Sequence, residues 1–220
     1  MQFDEKVIDV LKNFSSINTS LLVDESDIMR TVSPKKNILA EVKLDEAFPK
    51  RFGIYDLNQF LGVISLFNNP EYKFGDHAVE IKNGVASSDY FYCDEEVITT
   101  NNTDPYQKDM PDFSPVLEFS LSSDDLKNCL QAANVMQLPD IIVSVDEGKI
   151  IWTVTDHNNP SSNNFKRTVG EAAATDQTFH FLVENLRLLP RAYNVRISDG
   201  VAANFVSDNV QYWIAMENVK

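Results

Sequence analysis

The sequence predicts an α+β fold of two similar domains, in which helices pack on antiparallel sheets. Three observations predict it. Apolar residues recur at helical spacing in a few segments, short alternating runs between turns fill the remainder, and the order of elements repeats after about 110 residues. The chain has 220 residues, 43% of them hydrophobic, which is enough for one large core or two small ones. A single α+β domain with a coincidental internal similarity is the alternative.

The first half is predicted to begin with an amphipathic helix over residues 3–15. The apolar face of this helix carries Phe3, Val7, Val10, Leu11 and Phe14. Short β-like runs follow at 17–23, 28–32 and 38–42. A second helix is capped by Asp56, ends at Asn68-Asn69-Pro70, and has the apolar positions Leu57, Phe60, Leu61, Ile64 and Phe67. Strand-like runs return at 79–81 and 87–93.

Residues 99–115 separate the two halves. This segment contains three prolines and shows little hydrophobic periodicity, so it is predicted to be an extended connector. The predicted domains are therefore residues 1–110 and 116–220.

The second half repeats the order of the first. A strand at 117–121 precedes a helix capped by Ser122 or Ser123, with apolar positions Leu126, Cys129, Leu130, Ala133 and Met136. The runs 141–145 and 150–155 flank the turn at 146–149 and form a hairpin. Further runs at 165–169 and 179–181 lead to a short helix with Leu182, Leu186 and Leu189, which ends at Pro190. Three strands at 193–197, 202–206 and 211–216 complete the pattern.

Composition and charge restrict the class of protein. Asp and Glu number 33 against 19 Lys and Arg, a net charge of -14. Such an excess often serves solubility alone, but it also excludes phosphate binding over the whole surface. The two cysteines, Cys93 and Cys129, are predicted to be free thiols in a reducing cytoplasm rather than a disulfide framework. The sequence shows neither a secretory signal nor an apolar run long enough for a membrane span, so no membrane partner is expected.

Motifs for catalysis or metal binding are absent from the sequence. His77, His157 and His180 are far apart, and none has a partner at metal-ligand spacing. The sequence contains no P-loop, no G-x-G-x-x-G and no G-x-S-x-G motif. The acidic pairs Asp45-Glu46 and Asp124-Asp125 could hold a metal or act as a base, but Asp124-Asp125 falls in the first turn of a helix, where carboxylates stabilise the dipole. No cofactor, metal or catalytic residue is therefore predicted, and an enzyme is the least favoured class.

Three segments resemble a known family. They are Val10-Leu11-Lys12-Asn13-Phe14, followed by Ser16-Ile17-Asn18; IYDLNQFLGVISLFNN at 54–69; and VDEGKIIW at 145–152. In this order and at these separations they resemble the trimeric sliding clamps of tailed bacteriophages, the DNA polymerase processivity factors. The loops at 43–51, 94–115 and 157–176 show no such resemblance.

The resemblance implies the DNA-clamp fold, with two domains that each carry two helices on antiparallel sheet. Copies would close head to tail into a homotrimeric ring through edge strands, with the helices lining a hole for duplex DNA. It also implies loading by an ATP-driven clamp loader, tethering of the replicative polymerase, a role in late transcription, and action in the cytoplasm of the infected bacterial host. The alternative is a structural ring-forming phage protein of the tail or baseplate.

The predicted DNA-facing residues are those on helix faces opposite the apolar stripes. They are Lys12, Lys127, Asn128, Gln131, Arg187 and Arg191. Ordinary solvated helix faces are the alternative interpretation. The resemblance further implies an apolar pocket for a terminal peptide of the polymerase, beside the connector and the last strands. The residues predicted to line it are Val116, Pro190, Tyr212 and Trp213, and a place in the core is the alternative for the aromatic ones.

Overall fold

The computed structural model describes residues 3–98, 114–173, 177–199 and 201–217. The chain divides into two compact units, Met1–Met110 (unit 1) and Pro111–Lys220 (unit 2). Each unit is built from helices and antiparallel strands around its own apolar core.

Unit 1 begins with a helix, continues with four strands and a second helix, and ends with three strands and a 3-10 turn. The helices are α1 (Glu5–Ile17) and α2 (Leu57–Ile64), and the 3-10 turn is Glu95–Val97. The strands are β1 (Leu21–Val23), β2 (Ile28–Val32), β3 (Ile38–Lys43), β4 (Phe52–Ile54), β5 (Glu71–Phe74), β6 (Ala78–Asn83) and β7 (Ala86–Phe91). All pairings within the unit are antiparallel: β1 with β4, β2 with β3, and β5, β6 and β7 in sequential order.

Side-chain caps fix where the helices of unit 1 begin. The Asp4 carboxylate accepts a hydrogen bond from the Val7 backbone N–H at 2.9 Å. Asp56 accepts from the backbone N–H groups of Asn58 and Gln59, both at 3.0 Å, so the predicted cap of the second helix is confirmed. Each cap satisfies donors that the first turn of a helix otherwise leaves unpaired.

The core of unit 1 lies beneath the two helices and is rich in aromatic rings. Phe14 and Phe60 are almost fully buried. A second aromatic cluster surrounds Phe3, whose ring stacks on Tyr72 at 4.1 Å between centroids and meets Phe48 edge-on. The helices are therefore fixed to the sheets by their apolar faces, which leaves their opposite faces to solvent.

Among the described residues, unit 2 contains one strand more than unit 1. Its strands are β8 (Leu117–Leu121), β9 (Asp140–Asp146), β10 (Lys149–Thr155), β11 (Phe165–Glu171), β12 (Thr178–Leu182), β13 (Tyr193–Ile197), β14 (Ala202–Val206) and β15 (Val210–Ala215). Helix α3 (Ser123–Met136) follows β8, and a 3-10 turn (Val183–Asn185) follows β12. One sheet has the order β11-β10-β9-β12, and the strands β8, β13, β14 and β15 pair in that order.

The element order of the two units is the same once β8 is set aside. In both, a helix is followed by four strands, a short helix or helical turn, and three strands. The segments 52–61 and 179–189, which suggested the repeat, occupy corresponding places between the fourth strand and the short helical element. Two similar units account for the repeat better than a coincidental internal similarity in one domain.

Several boundaries differ from the sequence predictions. The run 17–23 divides, because Ile17 belongs to α1 and the strand begins at Leu21. Helix α2 ends at Ile64 rather than at Phe67. The strands β4 and β5 were not predicted, since each is only three or four residues long and gives little alternation. Most of the predicted connector, residues 99–113, lies outside the described residues.

The predicted fourth helix is wrong. The segment after β12 makes a single 3-10 turn, and Leu186 leaves it with φ -84° and ψ 54°. Leu188 and Leu189 lie beyond this turn and are both buried. Pro190 also disfavours helical geometry at the residue before it. The leucines therefore fill the core from an irregular segment.

Candidate functional site

The solvent face of α1 carries mixed charge. The side chain of Lys12 is 64% exposed, and its Nζ lies 3.7 Å from a carboxylate oxygen of Asp9 one turn earlier. Glu5 is exposed on the same helix. An exposed pair of this kind is worth little in stability and leaves the ammonium group accessible. Lys12 is therefore available to a phosphate, but acidic groups surround it.

The solvent face of α3 is more favourable to an anion. Lys127 and Gln131 are exposed one turn apart. Asn128 turns back on its own helix, because its Nδ2 donates to the backbone oxygen of Asp124 at 2.7 Å. Of the three residues predicted on this helix, Lys127 and Gln131 thus point to solvent, and the donor of Asn128 is engaged.

The two predicted arginines do not lie on a helix. Arg187 is exposed in the irregular segment after β12, and its Nε donates to the backbone oxygen of Glu184 at 2.9 Å. Arg191 is half-buried, and its Nη1 donates to Oδ1 of Asn209 at 2.6 Å. Arg187 keeps a surface position, whereas Arg191 also ties its segment to the turn before β15.

Two of the residues predicted to line the peptide pocket are core residues. Tyr212 is fully buried and Trp213 is 6% exposed. The Tyr212 hydroxyl accepts a hydrogen bond from the Leu189 backbone N–H at 3.3 Å, and burial raises the pKa of this phenol to about 12. Val116 and Pro190 are exposed. Tyr212 and Trp213 therefore lie in the core beneath this surface, where they can support a pocket from below, and the pocket itself stays a prediction.

The described residues of each unit form a groove. The groove of unit 1, of about 930 Å³, lies between α1 and the end of α2 and has Asp4, Glu5 and Asp9 along it. These carboxylates disfavour a polyanion. The groove of unit 2, of about 610 Å³, lies between the start of α3 and strands β13 and β14, and Asp125 and Asp208 line it. Neither groove was predicted, because each forms from segments distant in sequence.

Two edge strands carry exposed aromatic and charged side chains that were not predicted as site residues. Strand β7 lies at one edge of its three-stranded sheet, and its last residue, Phe91, is 71% exposed. Asp89 is exposed on the same strand. Strand β11 lies at the edge of its four-stranded sheet and carries the exposed Lys166 and the half-buried Arg167. The alternation of the run 87–93 could have identified Phe91, since its neighbour Tyr90 faces the core.

No three His, Cys, Asp or Glu side chains of the described residues come together in a way that could hold a metal ion. The buried pair Asp140–His180 joins β9 to β12 at 2.8 Å, and the second oxygen of Asp140 accepts from the His157 backbone N–H at 2.7 Å. Both carboxylate oxygens are thus used in holding strands and a loop together. Among the described residues, no helix has the length and apolar character to cross a bilayer.

Comparisons with known proteins identify relatives of the whole chain. Residues 118–218 match the family model of the gp45 sliding clamp, C terminal, and residues 4–82 match that of the DNA polymerase processivity factor. The sliding clamp of Vibrio phage KVP40 is 29% identical over 99% of both chains. The sliding clamps of Escherichia phage RB69 and Enterobacteria phage T4 are 27% and 25% identical over 99% of this chain and 97% of theirs.

Solved structures show the same fold. The proliferating cellular nuclear antigen of Entamoeba histolytica superposes with a TM-score of 0.71 at 13% identity, covering 96% of this chain and 94% of that one. The corresponding antigen of Thermococcus kodakaraensis gives 0.71 at 15% identity over 99% of both chains. The fold is therefore the DNA-clamp fold, and with both halves matched by its family models the chain belongs to the phage sliding-clamp family of DNA polymerase processivity factors.

Proposed function

We propose that this protein forms a ring that encircles duplex DNA and tethers a replicative phage DNA polymerase to its template. The observation that carries the proposal is the match of both halves of the chain to models of phage processivity factors. In this proposal residues 1–110 and 116–220 are the two clamp domains, joined by a connector at about 99–115. The clamp itself uses no cofactor, metal or catalytic residue.

The ring closes through the two edge strands. Strand β7 of one copy pairs with β11 of the next, which satisfies the open backbone groups that each edge presents. Phe91 supplies an aromatic anchor at this seam, which we define as the β7–β11 contact between copies. Asp89 on β7 and Lys166 on β11 supply opposite charges. Repeated head to tail, this contact gives a homotrimer.

The hole is lined by sparse positive charge. Lys12, Lys127 and Arg187 are exposed, and Gln131 adds a neutral donor; Asn128 and Arg191, although engaged within the chain, complete the proposed set. Binding to phosphates by such groups is independent of base sequence, and each contact is exchangeable. The chain has few cations and a net charge of -14. DNA is therefore retained more by closure of the ring around it than by electrostatic attraction to the protein.

The other partners bind the outside of the ring. The solved proliferating cellular nuclear antigen of A. fulgidus, which matches this chain with a TM-score of 0.70 at 13% identity, is bound to the C-terminal region of FEN-1. By analogy, the polymerase docks a terminal peptide on a surface that includes Val116 and Pro190, with Tyr212 and Trp213 supporting it from the core. An ATP-driven clamp loader opens the ring, and the loaded clamp activates late transcription. These events take place in the cytoplasm of the infected bacterial host, since the sequence relatives are phage proteins.

The mass in solution tests the ring. We expect a species of about three times 24.9 kDa by light scattering, in equilibrium with monomers on dilution. Cognate polymerase, loader and ATP should then give processive synthesis on a primed circular template. A hexamer or tube without stimulation of synthesis would instead support a structural ring protein of the tail or baseplate.

A Lys127→Glu variant tests the DNA-facing surface. Three substituted copies in the proposed ring place carboxylates where phosphates pass, so stimulation of the polymerase should decrease. The salt concentration at which stimulation is lost should also be lower than for the wild type. The slope of log affinity against log salt should fall by about one for each phosphate that the variant no longer neutralises. Lys149→Glu, the same charge change at an exposed residue at the start of β10, is the matched control. Equal losses in both variants would contradict the assignment of Lys127.

A further inference from the structure

We infer that Asp125 is a positioning residue for ring closure, which holds edge strand β11 ready to pair with β7 of a second copy. It does so by binding Arg167, a residue near the middle of β11, from the first turn of α3. The inference rests on the proposed ring and names a residue that acts on the seam without being part of it.

Asp125 is itself held in one orientation. Ser122 caps α3 by accepting the Asp125 backbone N–H at 3.1 Å, and the Ser122 hydroxyl donates to Oδ2 of Asp125 at 2.5 Å. This reciprocal pair fixes the carboxylate at the N-terminus of the helix. Although partial burial raises the pKa of Asp125, the hydrogen bonds from Ser122 and Arg167 lower it further, so the net pKa lies below the usual value. The carboxylate is therefore charged at neutral pH.

The other oxygen of Asp125 reaches β11. Oδ1 accepts a hydrogen bond from Nε of Arg167. The side chain of Asp125 is only 16% exposed and that of Arg167 is 37% exposed. The pair is thus shielded on the carboxylate side and open on the guanidinium side. A charge-assisted hydrogen bond in this setting restrains a strand more than a fully exposed pair does.

Strand β11 needs such a restraint. Its described backbone pairs only with β10, and a bulge interrupts that pairing, because Ile150 and Ile151 face Gly170 and Thr168 and leave Val169 extra. Bulges bend and twist an edge strand, which blunts it for pairing with another chain. Arg167 lies two residues before the extra Val169, opposite Trp152 in the regular part of the ladder. A tie to α3 at this point keeps the regular part in a single position.

The restraint also decides which side chains face the next copy. Alternation along the strand places Lys166 and Thr168 on the exposed face and turns Arg167 toward α3, which contacts both β10 and β11. Lys166 is then the cation presented at the seam, where Asp89 of the neighbouring β7 provides the opposite charge. An edge ordered before association loses less conformational entropy when it pairs, which strengthens binding without any additional interaction.

The experiment is a dilution series of the full-length protein, with the fraction of trimer measured by mass photometry and subunit exchange. Asp125→Asn keeps the shape of the side chain and removes its charge. We expect it to weaken association by about tenfold, the effect of one charge-assisted hydrogen bond. Arg167→Gln should weaken it equally, the double variant should add nothing more, and Asp125→Glu should restore most of the association.

A second pair of similar burial controls for the general effect of losing a partly buried ion pair. Arg30 and Glu41 join β2 to β3 at 2.7 Å, with both side chains 17% exposed and neither in the proposed seam. Glu41→Gln should leave association unchanged. Wild-type association in Asp125→Asn, or a loss of association matched by an equal loss of unfolding stability, would overturn the inference while leaving the ring intact. A wild-type protein that stays monomeric at every concentration would overturn the ring itself.

Discussion

Phe91→Ser is expected to convert the proposed trimer into monomers at micromolar concentration and to abolish processive synthesis. Phe91 is 71% exposed at the end of edge strand β7, so its ring is buried only if another chain covers it. Large aromatic residues at the centre of interfaces typically contribute about 2 kcal/mol or more each, and removing one weakens its interface about thirtyfold. A closed ring repeats that effect at every seam.

The matched control lies in the same hairpin. Val85 is fully exposed in the turn between β6 and β7, and Val85→Ser removes an apolar side chain away from the strand edge. Both variants should unfold at the wild-type temperature when measured as monomers, because exposed positions change stability by about 0.5 kcal/mol at most. A Phe91→Ser protein that remains trimeric on dilution would show that the ring closes elsewhere.

Much of the fold could be predicted because its signals are local. Helices α1, α2 and α3 are predicted by apolar residues at helical spacing. Asp56 and Ser122 mark the starts of α2 and α3, because their side chains accept hydrogen bonds from backbone N–H groups of the first turn. The hairpin β9–β10 follows from two apolar runs around Gly148, which adopts φ +79° in the turn. Each of these elements depends on residues within one short segment.

The features that sequence could not predict depend on contacts with distant segments. The leucines after β12 suggested a helix, but core space and Pro190 determine an irregular path. Tyr212 suggested a pocket, but its hydroxyl is buried against Leu189. The tie between Asp125 and Arg167 spans 42 positions, and no spacing rule links such residues.

The same limit applies to the candidate surfaces. The sequence identified Lys127 and Arg187 as exposed because a charged residue opposite an apolar stripe faces solvent. For Arg187 this held although the predicted helix around it does not form. The sequence could not identify the seam, since an edge strand is defined by what lies beside it in the sheet. The proposed function therefore depends on strands β7 and β11 of every copy more than on the sparse cations.

Trp152→Ala is expected to destabilise unit 2 by about 3–5 kcal/mol, a large part of the stability of a domain. Trp152 is fully buried at the centre of β10, the strand that pairs with both β9 and β11. Removing the indole leaves a cavity beneath the sheet that carries the proposed seam. Urea unfolding followed by circular dichroism would measure the destabilisation, and dilution would show weaker association as a consequence.

Trp152→Phe separates the cavity from the polar group. The indole Nε1 is buried and has no hydrogen-bond partner among the described residues, a condition that costs about 1–3 kcal/mol. Phenylalanine leaves a smaller cavity than alanine and removes the unpaired N–H, so the two effects oppose each other and the variant should unfold within about 1 kcal/mol of wild type. If it unfolded as easily as Trp152→Ala, the cavity would outweigh the removal of the unpaired N–H, and the core of unit 2 would depend on the full volume of the indole. Retained stability together with an intact trimer would show that a ring of phenylalanine size is enough to pack β10 beneath the proposed seam.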